Sequence, residues 1–337
     1  MEKKNILITG VAGLIGSKFA EYIINNHYDE YNVIGIDCLL GGSLNNIPRG
    51  CITIFKDLAT EDVSKVFETF KFEYVFHFAA YAAEGLSGFK RNFFHSNNIL
   101  STGNIINCCV NYKVKRLVFT SSMSVYGIGT GTNDRFDEND TPLPLDPYAI
   151  GKYASELDIQ SAGEQFGLDW CIIRPHNVYG PNQNIWDKYR NVLGIWMYQT
   201  LNEQPTTIYG KGDSVRAFTY IDDILPSLLK AATDVVCSKE IINLGAITGY
   251  SIQEAHDIFT DVVGKDKVKV TYLEPRYEVK HAVPTWEKSV ELLGYCDKTS
   301  LHTGLSKMWE WAQAQPKREV KSWDNFEIRK NLYSYWS

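Results

Sequence analysis

The stretch Ile6-Leu7-Ile8-Thr9-Gly10-Val11-Ala12-Gly13-Leu14-Ile15-Gly16 decides the fold. Its first four residues are typical of a short buried strand, and the amphipathic run 14–24 predicts a helix directly after it. The three glycines allow a tight turn that brings backbone N–H groups close to a pyrophosphate, at the positive end of the helix. The spacing is Gly-x-x-Gly-x-x-Gly, whereas the general dinucleotide pattern is Gly-x-Gly-x-x-Gly, so the loop is evidence only together with its surroundings.

A carboxylate follows at the position that a dinucleotide site needs. Asp37 ends the second predicted strand, 21 residues after Gly16. There it can accept hydrogen bonds from the adenosine ribose hydroxyls, and it would repel the 2′-phosphate of NADP. No arginine occurs in the ten residues that follow, so the sequence favours NAD over NADP. By the same logic Asp57 and Leu58, after the third strand, would frame the adenine.

Strand-like and helix-like segments alternate through the first half of the chain. Apolar strands separated by helix-length segments predict a parallel sheet covered on both faces, an α/β doubly wound (Rossmann) fold. After about residue 175 the order loosens, which predicts a smaller, interleaved C-terminal α/β lobe. We expect residues 1–175 to form the NAD-binding Rossmann domain and 176–315 mainly a substrate-binding lobe, with some chain returning to the first domain. Residues 316–337 would be a C-terminal extension. The predicted strands are 6–9, 33–37, 52–55, 74–77, 117–121, 206–209, 241–244 and 268–273, and later helices are predicted at 190–201 and 251–263.

Composition excludes several classes of function. The 34 basic and 40 acidic residues give a formal net charge of −6, so nothing in the charge favours binding to nucleic acid or to an anionic membrane. No apolar run reaches the roughly 18 to 20 residues that cross a bilayer, and the start does not resemble a signal peptide, so we expect a cytoplasmic protein. The seven cysteines contain no Cys-x-x-Cys pair, which favours buried free thiols over a metal site.

A tyrosine and a lysine lie four residues apart on a second predicted helix. Asp146 would cap this helix, Pro147 would open it and Gly167 would end it. Tyr148 and Lys152 then share one face, and an ammonium close to a phenol lowers the phenol pKa from about 10 and makes it a proton acceptor. The Tyr-x-x-x-Lys spacing also occurs by chance on amphipathic helices.

Hydroxyl residues close the fifth predicted strand, where ligand-binding groups gather at the carboxyl ends of a parallel sheet. With the glycine loop and the tyrosine–lysine pair, they make the chain resemble the extended short-chain dehydrogenases, and among these the nucleotide-sugar 4-epimerases of the UDP-galactose 4-epimerase type. The resemblance runs from Met1 to about Gly294. Its motifs are the three glycines, His77-Phe78-Ala79-Ala80, Asn97-Asn98, Ser121-Ser122 to Tyr126-Gly127, Tyr148 with Lys152, Arg174 to Pro181, and Ser214 to Asp223.

The resemblance implies roles for individual residues. Ser122 would hydrogen-bond the substrate oxygen, Tyr148 would be the base, and Lys152 would support it and hold the nicotinamide ribose. Further residues would bind the two ligands: Ala79, Ala80 and Asn98 the cofactor, Asn177, Arg216 and Arg276 the substrate diphosphate, and Ala282 the space beside the 2-substituent of the sugar. Bidentate guanidinium groups suit phosphate oxygens. The segment after Arg276 is one residue shorter than usual, which leaves the ribose-binding acid at Glu278 or displaced.

The implied reaction is inversion of carbon 4 of a nucleotide-diphosphate sugar through a 4-keto sugar, with NAD regenerated in each cycle. Dehydratases of the family place an acidic pair where Met123 and Ser124 stand, decarboxylases a glutamate at Ser124, and the 3,5-epimerase/reductase branch a cysteine there. Another NAD-dependent oxidoreductase of nucleotide sugars or of a free sugar is the alternative, and a non-catalytic NAD-sensing regulator is a third. Uridine is the commonest nucleobase in the family, and the hexose, its N-acetyl form and its uronic acid all stay open.

The resemblance also implies a homodimer through a four-helix contact made by residues 92–110 and 148–166. Apolar side chains expected in that contact are Phe93, Phe94, Cys108, Leu157 and Ala162. Residues 81–87 and 184–191 depart from the best-known member of the family, and both segments should face the sugar.

Overall fold

The glycine-rich loop joins a strand to a helix as the sequence predicts. The computed structural model describes residues 2–128, 135–276, 278–316, 318, 319, 323, 325–333 and 336. The strands are β1 (Lys4–Thr9), β2 (Tyr31–Asp37), β3 (Ile52–Phe55), β4 (Tyr74–His77), β5 (Arg116–Thr120), β6 (Trp170–Pro175), β7 (Val178–Tyr179), β8 (Thr206–Tyr209), β9 (Val215–Ala217), β10 (Thr219–Tyr220), β11 (Glu240–Leu244), β12 (Gly249–Ser251), β13 (Val270–Leu273) and β14 (His281–Ala282). The helices are α1 (Leu14–Asn26), α2 (Ser64–Phe70), α3 (Glu84–Ser87), α4 (Arg91–His95), α5 (Ser101–Asn111), α6 (Pro147–Phe166), α7 (Val192–Leu201), α8 (Ile221–Thr233), α9 (Ile252–Val263), α10 (Glu287–Leu293) and α11 (Leu301–Gln313), and a π-helical segment, Ser96–Leu100, joins α4 to α5.

Seven parallel strands form the main sheet in the order β3-β2-β1-β4-β5-β6-β11. The chain moves outward from β1 to β3 and then crosses back to β4 on the other side of β1. A crevice opens at such a switch point beyond the carboxyl ends of the strands, and ligands of doubly wound sheets bind there. The fold predicted from the sequence is therefore confirmed.

Hydrophobic cores cover both faces of this sheet. Ile6 and Ile8 of β1 belong to one core, with helices α1 and α8, whereas Leu7 belongs to the other, with α5 and α6. This alternation follows from the two-residue repeat of a strand, and both faces are buried because crossover helices lie on both sides.

The residues after β6 build a smaller layer of short sheets and helices. A third core joins α7, α9 and α11 around Trp196, Phe259 and Leu305, and β8 pairs in parallel with β13. Strand β11 returns to the main sheet beside β6. The domain boundaries given above stay a prediction.

One predicted helix begins later than expected. The helix predicted from Arg190 starts at Val192, because the Asn191 side chain caps it by accepting a hydrogen bond from the Leu193 backbone N–H at 2.9 Å. Arg190 is thereby left in the loop before the helix, and this places its guanidinium in the site described below.

The C-terminal extension lies against residues 81–94. The Glu327 carboxylate accepts hydrogen bonds from the backbone N–H groups of Asn92 (2.8 Å) and Phe93 (3.2 Å) in the first turn of α4. Trp336 packs against Phe89 and Tyr189 with ring centres 5.7 and 4.9 Å apart. The extension is thus anchored beside the segment that follows β4.

Three of the five side chains predicted for a dimer contact lie in the chain's own core, so that part of the prediction is wrong. Phe94, Cys108 and Ala162 are buried, because Phe94 packs under the segment after β4 and the other two fill the space between helix and sheet. Leu157 is 50 % exposed and stays available.

The cysteines are all free thiols, four of them buried and Cys38 and Cys296 exposed. Among the helices described here, none is both long and apolar enough to cross a membrane.

Candidate active site

A cavity of about 990 Å³ runs along the carboxyl ends of the strands in the main sheet. It reaches from the glycine loop and the end of β2, past the segment after β4, to the strands β9 and β14 of the smaller layer. Most of the residues singled out from the sequence line this single cavity: Gly10, Gly13, Gly16, Asp37, Asp57, Leu58, Ala79, Ala80, Ser122, Tyr148, Lys152, Asn177, Arg216, Arg276 and Ala282.

The glycine loop is too crowded for side chains. Gly10 has a φ of +71°, and a Cβ there would lie 2.9 Å from the backbone N and Cα of Ala79. A Cβ at Gly16 would overlap the Gly10 carbonyl and lie 2.7 Å from its carbon. The first turn of α1 is uncapped by any side chain, since its N-cap is Gly13. The loop therefore offers bare backbone to the cavity, which fits a pyrophosphate.

Asp37 is positioned by two backbone N–H groups. Its Oδ2 accepts from Ala12 of the glycine loop at 2.9 Å, and its Oδ1 accepts from Leu39 at 2.7 Å. Burial raises the pKa of this carboxyl, although these amides and the charge of Arg190 act in the opposite direction. Asp57 and Leu58 lie on the same side of the cavity, at the end of β3.

Two internal hydrogen bonds fix the segment after β4. The Ala79 backbone N–H donates to Thr9 Oγ1 at 3.1 Å, and the same hydroxyl lies 2.7 Å from Nδ1 of His77. Burial lowers the pKa of His77 to about 3, so this ring is a neutral packing residue. Ala79 and Ala80 leave room for a flat ligand against the sheet edge.

Asn98 lies behind the cavity wall instead of lining it. Its Oδ1 accepts from the Tyr81 backbone N–H at 3.0 Å, and its backbone carbonyl accepts from the Ser155 hydroxyl at 3.2 Å. Asn97 lines the cavity. Contact between Asn98 and a cofactor stays a prediction, and in this structure the residue holds the segment after β4.

Helix α6 presents Tyr148 and Lys152 to the cavity. It covers Pro147–Phe166, with the Asp146 side chain accepting from the Ala149 backbone N–H at 3.1 Å and Gly167 ending it at a φ of +73°. The cap, the opening proline and the left-handed glycine lie where the sequence predicts them.

Ser122, Tyr148 and Lys152 meet at one end of the cavity. Burial and the nearby charge of Glu84 raise the pKa of the Tyr148 phenol, whereas Ser122 acts to lower it. Lys152 Nζ donates to the Thr120 carbonyl at 2.7 Å, and burial lowers the pKa of Lys152 to about 7. The sequence predicts that Lys152 lowers the Tyr148 pKa, but burial has the largest effect on the pKa of this phenol.

Two arginines, Arg216 and Arg276, lie in the cavity wall opposite Ser122, Tyr148 and Lys152. Strands β9 and β14 pair so that Arg216 lies beside Ala282. The Arg216 guanidinium donates to the Val279 carbonyl at 2.6 Å and lies 3.8 Å from the Glu278 carboxylate. Arg276 stacks on Tyr209, its guanidinium carbon 3.3 Å from the ring centre.

Asn177 stands between these cations and Ser122. It has a left-handed backbone, with φ of +27°, and its side-chain amide donates to the Ala217 carbonyl at 3.0 Å. The structure therefore gathers the predicted diphosphate-binding residues in one region.

Sequence analysis assigns no role to several charged residues of the cavity, among them Glu84 and Arg190. They lie in the segments 81–87 and 184–191, both of which the sequence predicts to face the sugar. Arg190 comes from a loop more than a hundred residues after Tyr81, yet its guanidinium lies 4.4 Å from the Tyr81 ring centre and pairs with Asp187 at 3.0 Å. The extension adds Ile328, Lys330, Asn331 and Tyr333 to the lining. Only tertiary contacts reveal how Arg190 and the residues of the extension reach the cavity.

In the described part of the chain, no group of three or more His, Cys, Asp and Glu side chains is arranged to hold an ion. The glycine cradle, Asp37 and the two alanines after β4 instead fit NAD.

Comparison with known proteins agrees with this geometry. Residues 6–245 match the NAD dependent epimerase/dehydratase family. A putative UDP-glucose 4-epimerase of Methanocaldococcus jannaschii is 30 % identical over 307 residues, covering 91 % of this chain and 97 % of the relative.

Solved structures of similar proteins show the same fold. The UDP-glucose 4-epimerase of Thermotoga maritima, solved with UDP-glucose, is 30 % identical with a TM-score of 0.85, covering 91 % of this chain and 98 % of that one. The UDP-glucuronic acid 4-epimerase of Bacillus cereus, solved with UDP-glucuronic acid and NAD, is 28 % identical with a TM-score of 0.80 and the same two coverages. With its glycine cradle, its acid at the end of β2 and its Ser–Tyr–Lys group, this chain belongs to the NAD dependent epimerase/dehydratase family.

Proposed function

We propose that this protein is an NAD-dependent enzyme that inverts carbon 4 of a nucleoside-diphosphate sugar, with UDP as the favoured nucleotide. The observation that carries the proposal is the meeting of Ser122, Tyr148 and Lys152 at one end of a cavity whose other parts hold the glycine cradle and two arginines. The similarity to 4-epimerases of UDP-glucose and UDP-glucuronic acid supports it.

The residues of the cavity have separate roles in proton transfer and in binding the diphosphate. Tyr148 accepts the proton of the sugar 4-hydroxyl and later returns it, while Ser122 hydrogen-bonds both the phenol and the substrate oxygen. The glycine cradle and Asp37 would hold NAD, which would supply hydride transfer from carbon 4 and back to it. Arg216, Arg276 and Asn177 hold the diphosphate, so the sugar can turn about its link to this anchor between the two transfers.

Lys152 supports this proton transfer electrostatically. With its pKa near 7, it takes up or releases a proton easily near neutral pH. Its contact with the Thr120 carbonyl keeps the ammonium at the end of β5. There its positive charge stabilises the negative charge that develops on Tyr148.

Dehydration and decarboxylation are less well supported by the residues next to Ser122. Met123 and Ser124 follow it, and the Ser124 hydroxyl donates to Ser122 Oγ at 2.9 Å. Neither side chain can protonate a leaving 6-hydroxyl group.

The deciding experiment incubates the purified protein with UDP-glucose, UDP-N-acetylglucosamine and UDP-glucuronic acid, each with NAD, and resolves the epimers by chromatography and NMR. We expect interconversion of 4-epimers without accumulation of NADH. Stoichiometric NADH would support the alternative of a simple oxidoreductase. NAD binding without turnover of any sugar would support the NAD-sensing regulator.

We also propose a homodimer formed through α5, the π-helical segment and α6. Ile150 and Leu157 are 40 and 50 % exposed and lie seven residues apart, on one face of α6, and Leu100 at the end of the π-helical segment is 52 % exposed. Light scattering should give twice the mass of 38.3 kDa, and Leu157→Glu should shift it toward the monomer. A monomer in the unchanged protein would overturn this proposal.

A further inference from the structure

The C-terminal extension lies along the wall of the cavity. The resemblance to the family ends at about Gly294, so it assigns no role to this segment. Four described residues of the extension line the cavity, namely Ile328, Lys330, Asn331 and Tyr333. The extension is therefore placed where it can touch a bound ligand.

Hydrogen bonds hold the extension in this position. The backbone N–H groups of Glu327 and Ile328 donate to the Phe89 carbonyl at 2.9 and 3.2 Å. The Lys90 ammonium donates to Asn325, at 2.8 Å to its Oδ1 and at 3.1 Å to its carbonyl oxygen. These bonds fix the backbone at Ile328 and just before it, so this part of the cavity wall is built into the fold.

Aromatic packing places the end of the extension beside two parts of the site. Trp336 belongs to the same buried cluster as Tyr148, and its ring centre lies 5.7 Å from the guanidinium carbon of Arg276. Tyr333 packs on Trp336 and on Phe89, with ring centres 5.0 and 5.6 Å apart. The extension therefore adjoins both the tyrosine proposed as proton acceptor and an arginine proposed to bind the diphosphate.

A nucleotide sugar must span the distance between these two residues. In the proposed function its diphosphate lies at Arg276 and its carbon 4 at Tyr148, so the sugar ring lies between them. Apolar and aromatic side chains from three parts of the chain line the cavity beside the extension, namely Phe89, Tyr189, Ile328 and Tyr333. Such a surface packs well against the C–H groups of a sugar ring, because contact buries apolar area on both sides.

We infer that the C-terminal extension forms part of the sugar-binding site, in which Ile328 and Tyr333 contact the sugar ring of a UDP-sugar. This inference rests on the proposed function, which places the diphosphate at the arginines and carbon 4 at Tyr148. NAD belongs at the glycine cradle and Asp37 instead. Ile328 and Tyr333 therefore contribute to the affinity for the sugar, and not to the affinity for UDP or NAD.

Direct binding tests the inference independently of turnover. Dissociation constants of UDP, UDP-glucose and UDP-N-acetylglucosamine are measured by calorimetry for the NAD-loaded wild type, Tyr333→Ala and Ile328→Ala. Tyr22→Ala and Ile52→Ala are the matched controls, because Tyr22 is half-buried on α1, Ile52 is 52 % exposed on β3, and neither lines the cavity. Since Ile328 is 38 % exposed, Ile328→Ala keeps the test decisive even if Tyr333→Ala fails to fold.

We expect Tyr333→Ala to weaken the binding of both UDP-sugars by about tenfold or more, and Ile328→Ala by about threefold or more, because each removes apolar contact area. In both variants the NAD content should be unchanged and the affinity for UDP should stay within about twofold of wild type. The two controls should leave all three affinities unchanged.

Unchanged affinity for both UDP-sugars in either folded variant would overturn the inference. An equal loss of affinity for UDP would also overturn it, because the side chains would then contact the nucleotide. Loss of NAD would overturn it as well, because the side chains would then hold the cofactor.

The two proposals can fail separately. If 4-epimers interconvert but the variants bind UDP-sugars as the wild type does, the inference alone fails. If the variants bind UDP-sugars more weakly as expected but no sugar is epimerised, the proposed function fails and the contact with the sugar stands. A wild type that binds neither UDP-sugar would overturn both.

Discussion

Replacing Glu156 by glutamine should destabilise the protein because it leaves a buried guanidinium without a counter-charge. Arg174 and Glu156 have side chains that are 2 and 0 % exposed. The guanidinium donates to both carboxylate oxygens, at 2.9 and 2.6 Å, and also to the Tyr126 hydroxyl at 2.9 Å. The pair joins α6, which carries Tyr148, to β6 in the main sheet.

The magnitude follows from burial. Removing one partner of a buried, hydrogen-bonded ion pair costs about 3 to 5 kcal/mol. For 337 residues, an unfolding entropy of about 2.1 cal/mol/K per residue gives roughly 0.7 kcal/mol/K, so the melting temperature should fall by about 4 to 7 °C.

The matched control lies on the same helix. Glu164 has a side chain that is 78 % exposed and pairs with Lys239 at 3.3 Å. Because exposed ion pairs contribute at most about 1 kcal/mol, Glu164→Gln should lower the melting temperature by less than about 1.5 °C. Differential scanning calorimetry of the two variants with saturating NAD measures both shifts. Equal shifts would refute the claim that the Glu156 pair is a buried anchor of α6.

Two further predictions concern the cavity. Gly16→Ala should abolish NAD retention, measured by acid release and chromatography, because its Cβ would overlap the Gly10 backbone; retained NAD would contradict the cradle. Ala282→Tyr should lower kcat/KM for UDP-N-acetylglucosamine relative to UDP-glucose by about 10-fold or more; an unchanged ratio would remove Ala282 from the sugar.

The sequence predicts correctly those helices and strands whose ends are determined by neighbouring residues. Helix α6 matches its prediction at both ends, because a capping carboxylate, an opening proline and a left-handed glycine act within a few residues. Strands β1 to β5 and the glycine cradle follow in the same way from hydrophobic periodicity and turn residues, whereas β6 is not among the predicted strands.

Features that depend on distant contacts are not visible in the sequence. Arg190 reaches the cavity because Asp187 and Tyr81 hold it, and the extension contributes Tyr333 because Glu327 anchors it to α4. The partner of Lys152, the Thr120 carbonyl, likewise becomes apparent only when α6 packs on β5.

The same dependence on tertiary contacts explains why part of the predicted dimer contact is wrong. An apolar residue on a helix can face the chain's own core or a second subunit, and the spacing of Phe94 and Ala162 does not distinguish the two; both lie in the chain's own core. The cofactor contact expected of Asn98 stays a prediction, and the Asn98 side chain accepts a hydrogen bond from the Tyr81 backbone N–H.

The central claim is that Tyr148 is the proton acceptor in the inversion of carbon 4, and Tyr148→Phe tests it most directly. The change keeps the ring and its packing, so the variant should retain NAD and its melting temperature, while Tyr153→Phe, a half-buried tyrosine on the same helix, serves as the control. The rate of 4-epimer interconversion is measured by NMR with the UDP-sugar that the wild type uses best. We expect Tyr148→Phe to be slower by about 10² to 10⁴-fold and Tyr153→Phe to stay within about twofold of wild type. More than a tenth of wild-type activity in a folded, NAD-loaded Tyr148→Phe variant would contradict the mechanism.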